Sequence, residues 1–226
     1  MTTIGFIGSG KVGGSLARLA ADAGHDVVLS NSRGPHTLAG MVAEIGDRAR
    51  AATLDEAVRA ADVVVLAVPL GALGEVPVEL TGKTVVDTCN YYPLRDGRIP
   101  ALDTEETTTS ELVAATFAGA YVVKAFSSIP AALLRELARD PGADDRSALP
   151  FAADDAPAEA AVAKAEGMAL VDQLGFDPYD VGPLAEGWRF QRDTPAYVTP
   201  YRQGPVSTEQ LRGLLDSARR YRDISS

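Results

Sequence analysis

The chain has 226 residues, of which 46% are hydrophobic and 23% charged, a balance expected of one globular domain with a small appendage. A formal charge of -10 argues against a general nucleic-acid binder, and no apolar run approaches the ~20 residues of a membrane span. The lone Cys89 allows neither an internal disulfide nor a cysteine-rich metal site, and no signal region precedes the first strand-like pattern, so a cytoplasmic protein is expected.

Taken in order, "TTIGFIG" reads as a short buried strand and "KVGGSLARLAADAG" as a helix closed by Gly24. "HDVVLSNS" is a second strand. "AEIGDRARAATLDEAVRAA" supplies a helix end, a short third strand and another helix, before "DVVVLAVPL" gives an apolar run suited to the centre of a parallel sheet. "KTVVDTCN" and "AYVVKAFSSI" repeat the pattern. Strands alternating with helices predict an α/β fold with a doubly wound parallel sheet, a Rossmann-type NAD(P)-binding domain over residues 1–187. Within it, "DPGADDRSALPFAADD" is a loop and one more strand, "APAEAAVAKAEGMALVDQLG" a helix, and "FDPYDVGPL" a final edge segment.

Residues 188–226 form the appendage. "WRFQRDTPAYVTPYRQGP" has no clear period and reads as an extended arm rich in aromatic residues and arginine, and "STEQLRGLLDSARRY" as a helix with a capping box at Ser207 and Gln210 and an apolar stripe through Leu211, Leu214, Leu215 and Ala218. Charge divides unevenly: residues 101–187 hold five Lys and Arg against sixteen acids, and residues 188–226 hold seven, all arginine, against four. Two uses of the arm follow. Arg189, Arg192 and Arg202 among Trp188, Phe190, Tyr197 and Tyr201 hold an acidic, flat coenzyme or pack across a homodimer against the partner's acidic region, and both hold if the arm completes the partner's cleft.

Gly8-Ser9-Gly10-Lys11-Val12-Gly13 matches GxGxxG directly after the first strand and at the opening of a helix, the context in which the glycines serve a tight turn, close approach to a pyrophosphate and helix–strand packing. NAD-preferring sheets end the second strand in an acid, whereas this chain presents Ser30, Asn31, Ser32 and Arg33, donors and a cation suited to a 2′-phosphate. The expected cofactor is therefore NADP(H). Ala67, Val68 and Pro69 make a rigid apolar corner at the carboxyl end of the fourth strand, where ligands bind in such sheets, and Asn90, beside Cys89, Tyr91 and Tyr92, is counted among the cofactor contacts after the fifth.

Acid–base chemistry is thinly represented. His25 and His36 flank the second strand on the expected adenine side, no His/Cys cluster has metal-ligand spacing, no GxSxG nucleophile motif occurs, and the only proton-relay candidates are Lys124 or a tyrosine. A reaction needing little acid–base help fits better. Ser127 and Ser128 either hydrogen-bond the edge of a ring or cap a helix starting near Pro130.

With these residues in view, the chain resembles the NADPH-dependent reductases of coenzyme F420 over most of residues 3–190. The resemblance rests on GSGKVG, SNSR, AVPLGAL, "VVKAFSSIPAALL" (Val122 to Leu134) and "GFDPYDVGPLAEGWRF" (Gly175 to Phe190). It implies hydride exchange between NADP(H) and the deazaflavin F420 as a small-molecule acceptor, with Ile129, Pro130 and Ala131 against the ring and Ser127 at its edge. Archaeal members carry histidine in the segment of Ser127 and end in an apolar helical region instead of an aromatic, arginine-rich arm. The alternatives are an NADPH-dependent flavin or ferric reductase, a catalytically silent NADP(H) sensor, and a reductase of small imines or carbonyls.

Overall fold

In the computed structural model, which describes residues 1–220, the apolar runs become eight strands of one sheet. These are β1 (Thr3–Ile7), β2 (Asp26–Ser30), β3 (Ala49–Ala51), β4 (Val63–Leu66), β5 (Thr84–Asp87), β6 (Tyr121–Lys124), β7 (Ala148–Ala153) and β8 (Asp177–Gly182), in the order 3-2-1-4-5-6-7-8. Pairing among β1 to β6 is parallel throughout. The chain winds outward from β1 to β3, then crosses to β4 on the other side of β1. That reversal opens a crevice at the carboxyl ends of β1 and β4.

Among the described residues ten α-helices connect and cover the strands: α1 (Lys11–Asp22), α2 (Ala39–Ile45), α3 (Leu54–Ala60), α4 (Pro93–Asp96), α5 (Pro100–Asp103), α6 (Thr109–Thr116), α7 (Leu134–Leu137), α8 (Ala158–Gln173), α9 (Thr199–Arg202) and α10 (Thr208–Asp216). Successive strand residues face opposite sides. Ile4, Phe6, Val27, Leu29, Val63 and Val65 therefore join the core under α1, while Ile7, Val64, Leu66 and Val85 join the one that includes Val58 of α3 and Val113 of α6. Burial of each such side chain contributes roughly 1.5–3 kcal/mol. All four residues of β4 are buried, as a strand covered on both faces requires.

β7 departs from the expected all-parallel sheet. It runs antiparallel to β6 and meets it only at Val123↔Ala153 and Lys124↔Ala152, so Ala148 to Phe151 extend past the carboxyl end of β6 and pair with β8 alone. Two strands thus rise beside the carboxyl edge. Between β6 and β7 the chain turns sharply at Phe126, whose φ of 57° lies in the left-handed region, and its buried ring is held edge-on to Phe176 at 6.2 Å.

The arm is folded rather than extended. Residues Leu184–Phe190 form a 3-10 helix, α9 makes one further turn, and Phe190, Ala196, Tyr201, Val206, Leu211 and Leu215 enter the same core cluster as β1 and β2. Tyr201 is fully buried, its hydroxyl donating to the Ala148 carbonyl at 3.0 Å. The capping box at Ser207 and Gln210 is present, with Leu211, Leu215 and Ala218 buried and Leu214 partly so. The end of the expected helix, at Tyr221, lies outside the described residues.

Candidate functional site

Three glycines shape the turn between β1 and α1, each for a different reason. Gly8 has φ 99°, and a Cβ there would stand 2.4 Å from the Ala67 carbonyl oxygen. At Gly13 a Cβ would meet the Gly8 carbonyl oxygen at 2.1 Å, so this glycine lets α1 lie against the loop. Gly10 differs from both: a Cβ there would find nothing within 4 Å. The space above Gly10 is therefore open, at the N-terminus of a 12-residue helix with no acid in its first turn and no side-chain cap. The first N–H groups of α1 have no intrahelical acceptor and their dipole favours an anion, so a pyrophosphate fits this cradle. Ser9 is half-buried beside it, Lys11 is exposed, and Val12 packs on the core under α1.

The polar turn after β2 divides into two parts. Ser30 is fully buried and its hydroxyl donates to the Phe6 carbonyl at 2.7 Å. This corrects the expectation that Ser30 presents a donor to a 2′-phosphate: it ties β2 to β1 instead. Asn31 organises the turn, its amide donating to Thr37 Oγ1 at 3.0 Å and to Ser9 Oγ at 3.4 Å, while its carbonyl oxygen accepts the Arg33 N–H at 2.9 Å. That arrangement leaves Ser32 and Arg33 exposed at the rim, on the side where a ribose phosphate would lie. His36 stands in the same neighbourhood, on the 3-10 helix Pro35–Leu38. His25 does not: it precedes β2, at the opposite edge, and is buried, and burial lowers its pKa.

At the centre of the crevice, Ala67 and Val68 are half-buried and Pro69 is exposed at the start of a 3-10 helix, Leu70–Glu75. Across from them the ends of β5 and β6 carry the polar part of the site. The Asn90 amide nitrogen donates to the Ser127 carbonyl at 2.8 Å, while Asn90 Oδ1 and the Ser127 hydroxyl are buried without a hydrogen-bond partner. Buried polar atoms are normally paired, so these two orphans, with the equally unpartnered Ser128 hydroxyl beside them, suit the polar rim of a bound ring. The Ser127 hydroxyl caps nothing. Ser128 is gripped by its carbonyl, which accepts the Val198 N–H at 2.7 Å. Ile129 is buried, and Pro130 and Ala131 are half-buried in the turn that leads to α7.

Sequence reasoning missed the group beneath this edge. Asp87 and Lys124 are register neighbours at the last paired position of β5 and β6, both essentially inaccessible, with Lys124 Nζ 3.2 Å from Asp87 Oδ2. The same ammonium donates to Thr109 Oγ1 at 3.2 Å and to the Cys89 carbonyl. Ser110 Oγ donates to Asp87 Oδ2 at 2.6 Å and the Cys89 N–H to Asp87 Oδ1 at 2.7 Å. With three acceptors around it, Lys124 is locked and is no proton relay. Burial pushes the Cys89 thiol well up, so it stays protonated and inert. The signal for this network was a single charge at the end of each of two strands with Val-Val centres.

The arm closes the far side. Tyr197 and Tyr92 share a hydrogen bond between their hydroxyls, and burial, with that bond, raises the Tyr197 pKa. The guanidinium carbons of Arg95 and Arg192 lie 4.7 Å and 5.7 Å from the Tyr92 ring centre. A cleft of about 130 Å³ remains between this group and α5, lined by Tyr91, Pro93, Thr109, Gln191 and Arg192 among others. Other arm arginines are engaged within the chain: Arg189 pairs with Glu186 at 2.6 Å, and Arg189 and Arg220 flank Trp188, each 4.7 Å from the ring centre. Phe190 and Tyr201 belong to the core, so neither faces a ligand. Among the described residues no helix is long and apolar enough to cross a membrane, and no group of His, Cys, Asp or Glu is placed to hold a metal.

The sequence model of the family described as "NADP oxidoreductase coenzyme F420-dependent" matches residues 3–91, which include the glycine turn, the polar turn and Asn90. A solved structure of a hypothetical protein from Sinorhizobium meliloti is 32% identical, with a TM-score of 0.72 over 87% of this chain and 93% of that one. Over residues 3–91 the chain is similar to the F420-dependent NADP oxidoreductases. A protein of Arthrobacter sp. FB24, named as a candidate F420-dependent NADP reductase, is 28% identical with a TM-score of 0.63, covering 83% of this chain and 87% of its own. A reductive aminase from Aspergillus terreus, solved with NADPH and ethyl levulinate, has 17% identity and a TM-score of 0.56, over 82% of this chain and 56% of that one. At that distance the likeness shows the fold alone. No curated protein matches the chain. The family match over residues 3–91 and the fold together support an NADP-dependent oxidoreductase.

Proposed function

We propose that this oxidoreductase exchanges hydride between NADP(H) and the deazaflavin coenzyme F420, as NADPH + H⁺ + F420 ⇌ NADP⁺ + F420H2. The observation that carries the proposal is the make-up of the edge over Asn90 and Ser127. It offers an amide oxygen, a hydroxyl and the apolar Ile129, with its one ammonium and its one thiol both locked beneath. Such an edge orients flat rings and donates no proton to a substrate carbon. When both partners are bound, C4 of the nicotinamide supplies or takes the hydride and C5 of the deazaflavin is its counterpart.

The chain's own contribution is then positioning. The helix α1 N-terminus holds the pyrophosphate, the rim at Ser32 and Arg33 receives the 2′-phosphate, and Ala67 to Pro69 form the apolar wall. Asn90 Oδ1 and the Ser127 hydroxyl meet polar ring-edge atoms. Ile129, Pro130 and Ala131 exclude water from the reacting faces, where proximity and orientation supply most of the rate. NADPH oxidation measured with F420, FAD and a cyclic imine in turn tests the acceptor. Turnover with F420 at least tenfold above the others is expected, and faster turnover with FAD would replace this reading by the flavin-reductase one.

A further inference from the structure

The buried Asp87–Lys124 pair does nothing in the chemistry described above, yet two charges in the core are costly unless every hydrogen-bonding position is filled. Here all three donors of the ammonium are used and both oxygens of the carboxylate accept. Lys124 donates to Asp87, Thr109 and the Cys89 carbonyl, and Asp87 accepts from Ser110, the Cys89 N–H and Lys124. Both the N–H and the carbonyl of Cys89 are thereby held, one by each charge. The next residue is Asn90, whose amide grips the Ser127 carbonyl and leaves its own oxygen unpaired. A residue whose two peptide groups are both fixed from below allows its successor little freedom.

We propose that Lys124 and Asp87 are positioning residues: by clamping both faces of Cys89 they set the side chain of Asn90, and through it the Ser127 segment, against the reacting rings. The inference rests on the reading of the Asn90–Ser127 edge as the hydride-transfer edge. Replacing the pair together by neutral side chains, Asp87→Asn with Lys124→Met, removes both charges, whereas either change alone strands the other charge in the core. The double variant strands no charge and takes the donor from the Cys89 carbonyl, although the amide placed at position 87 can still accept the Cys89 N–H.

The test follows two readouts in the ligand-free and the working protein. In ¹⁵N–¹H spectra, the Asn90 side-chain amide, assigned by its loss in Asn90→Ala, is expected at a distinct hydrogen-bonded shift in the native protein and at the averaged position of a solvated amide in the double variant. With NADPH and F420, kcat is expected to fall at least tenfold in the double variant while NADPH Kd changes less than threefold. In an Asn90→Ala background the same double substitution is expected to add less than twofold. An unmoved Asn90 amide, a native kcat, or a full additional loss in the Asn90→Ala background would each overturn the clamp. Should the double variant not fold, Thr109→Val removes one acceptor from the ammonium; a shifted Asn90 side-chain amide together with a kcat at least threefold lower supports the proposal, and an unmoved amide refutes it. If Asn90→Ala itself leaves kcat at the native value, it is the reading of the edge that fails, together with the inference built on it.

Discussion

Two methyl groups, placed three residues apart, separate a structural glycine from a ligand-facing one. In Gly13→Ala the new Cβ stands 2.1 Å from the Gly8 carbonyl oxygen and 3.2 Å from the Ala67 Cβ, so α1 must back away from the loop by about an ångström. Overpacking of this kind costs ~1–3 kcal/mol, and for a chain of this size each kcal/mol lowers the melting temperature by roughly 2–4 °C. In Gly10→Ala the methyl meets nothing within 4 Å, and φ −73°, ψ −159° is a conformation alanine adopts freely. There the smaller unfolded-state entropy stabilises while the poorer N-cap destabilises, so stability should stay within ~1 kcal/mol of native. Yet that methyl occupies the space a pyrophosphate must approach, and NADPH Kd should rise at least tenfold, about 1.4 kcal/mol. Thermal melts and NADPH fluorescence titrations read the two effects separately. Native NADPH affinity in Gly10→Ala would refute the assignment of the cradle, and a native melting temperature in Gly13→Ala would refute the packing argument.

Neighbouring residues of the polar turn should likewise diverge. Arg33→Ala is expected to weaken NADPH by roughly 1.5–3 kcal/mol and NADH little, whereas Ser30→Ala, which removes the bond to the Phe6 carbonyl, should cost ~1 kcal/mol of stability with the NADPH-to-NADH affinity ratio unchanged. Tyr197→Phe breaks the contact with Tyr92 and should raise KM for the acceptor severalfold while leaving NADPH Kd alone; equal effects on both would detach the arm from the acceptor side. Burial raises the pKa of Tyr201 above its usual value, so the unfolded chain loses this proton first. Its contribution is fully present below pH ~10 and declines above it. Tyr201→Phe should therefore flatten the alkaline limb of the stability curve while costing ~1 kcal/mol at neutral pH, as chemical denaturation at pH 7 and pH 11 would show.

What could be read from the sequence was local. Glycine spacing, two-residue alternation and the alanine-rich helix each announce themselves within a dozen residues, and they yielded the strands, the fingerprint turn and the final helix. Less visible was which way a side chain faces. Ser30 and Ser32 look alike in "LSNSRG", and only the register of β2 on β1 turns the first into the core and leaves the second at the rim. The arm looked extended because its order comes from distant partners: Tyr201 reaches Ala148, and Val198 reaches Ser128. Asp87 and Lys124, 37 positions apart, became a pair only when parallel pairing set them opposite each other. Nor does the antiparallel β7 have a local signal, since its direction depends on the turn at Phe126 and the path that follows.

The central claim, direct hydride exchange with a deazaflavin, is tested most directly by isotope transfer. The purified protein would be mixed anaerobically with oxidised F420 and NADPH deuterated at C4 on each face in turn, and the reduced coenzyme analysed by mass spectrometry. One of the two labels should appear in F420H2 as a single deuterium at C5, with loss of the deazaflavin absorbance at the same rate as NADPH is consumed. F420 left oxidised in the presence of bound NADPH, or reduced without deuterium from either face, would contradict the account.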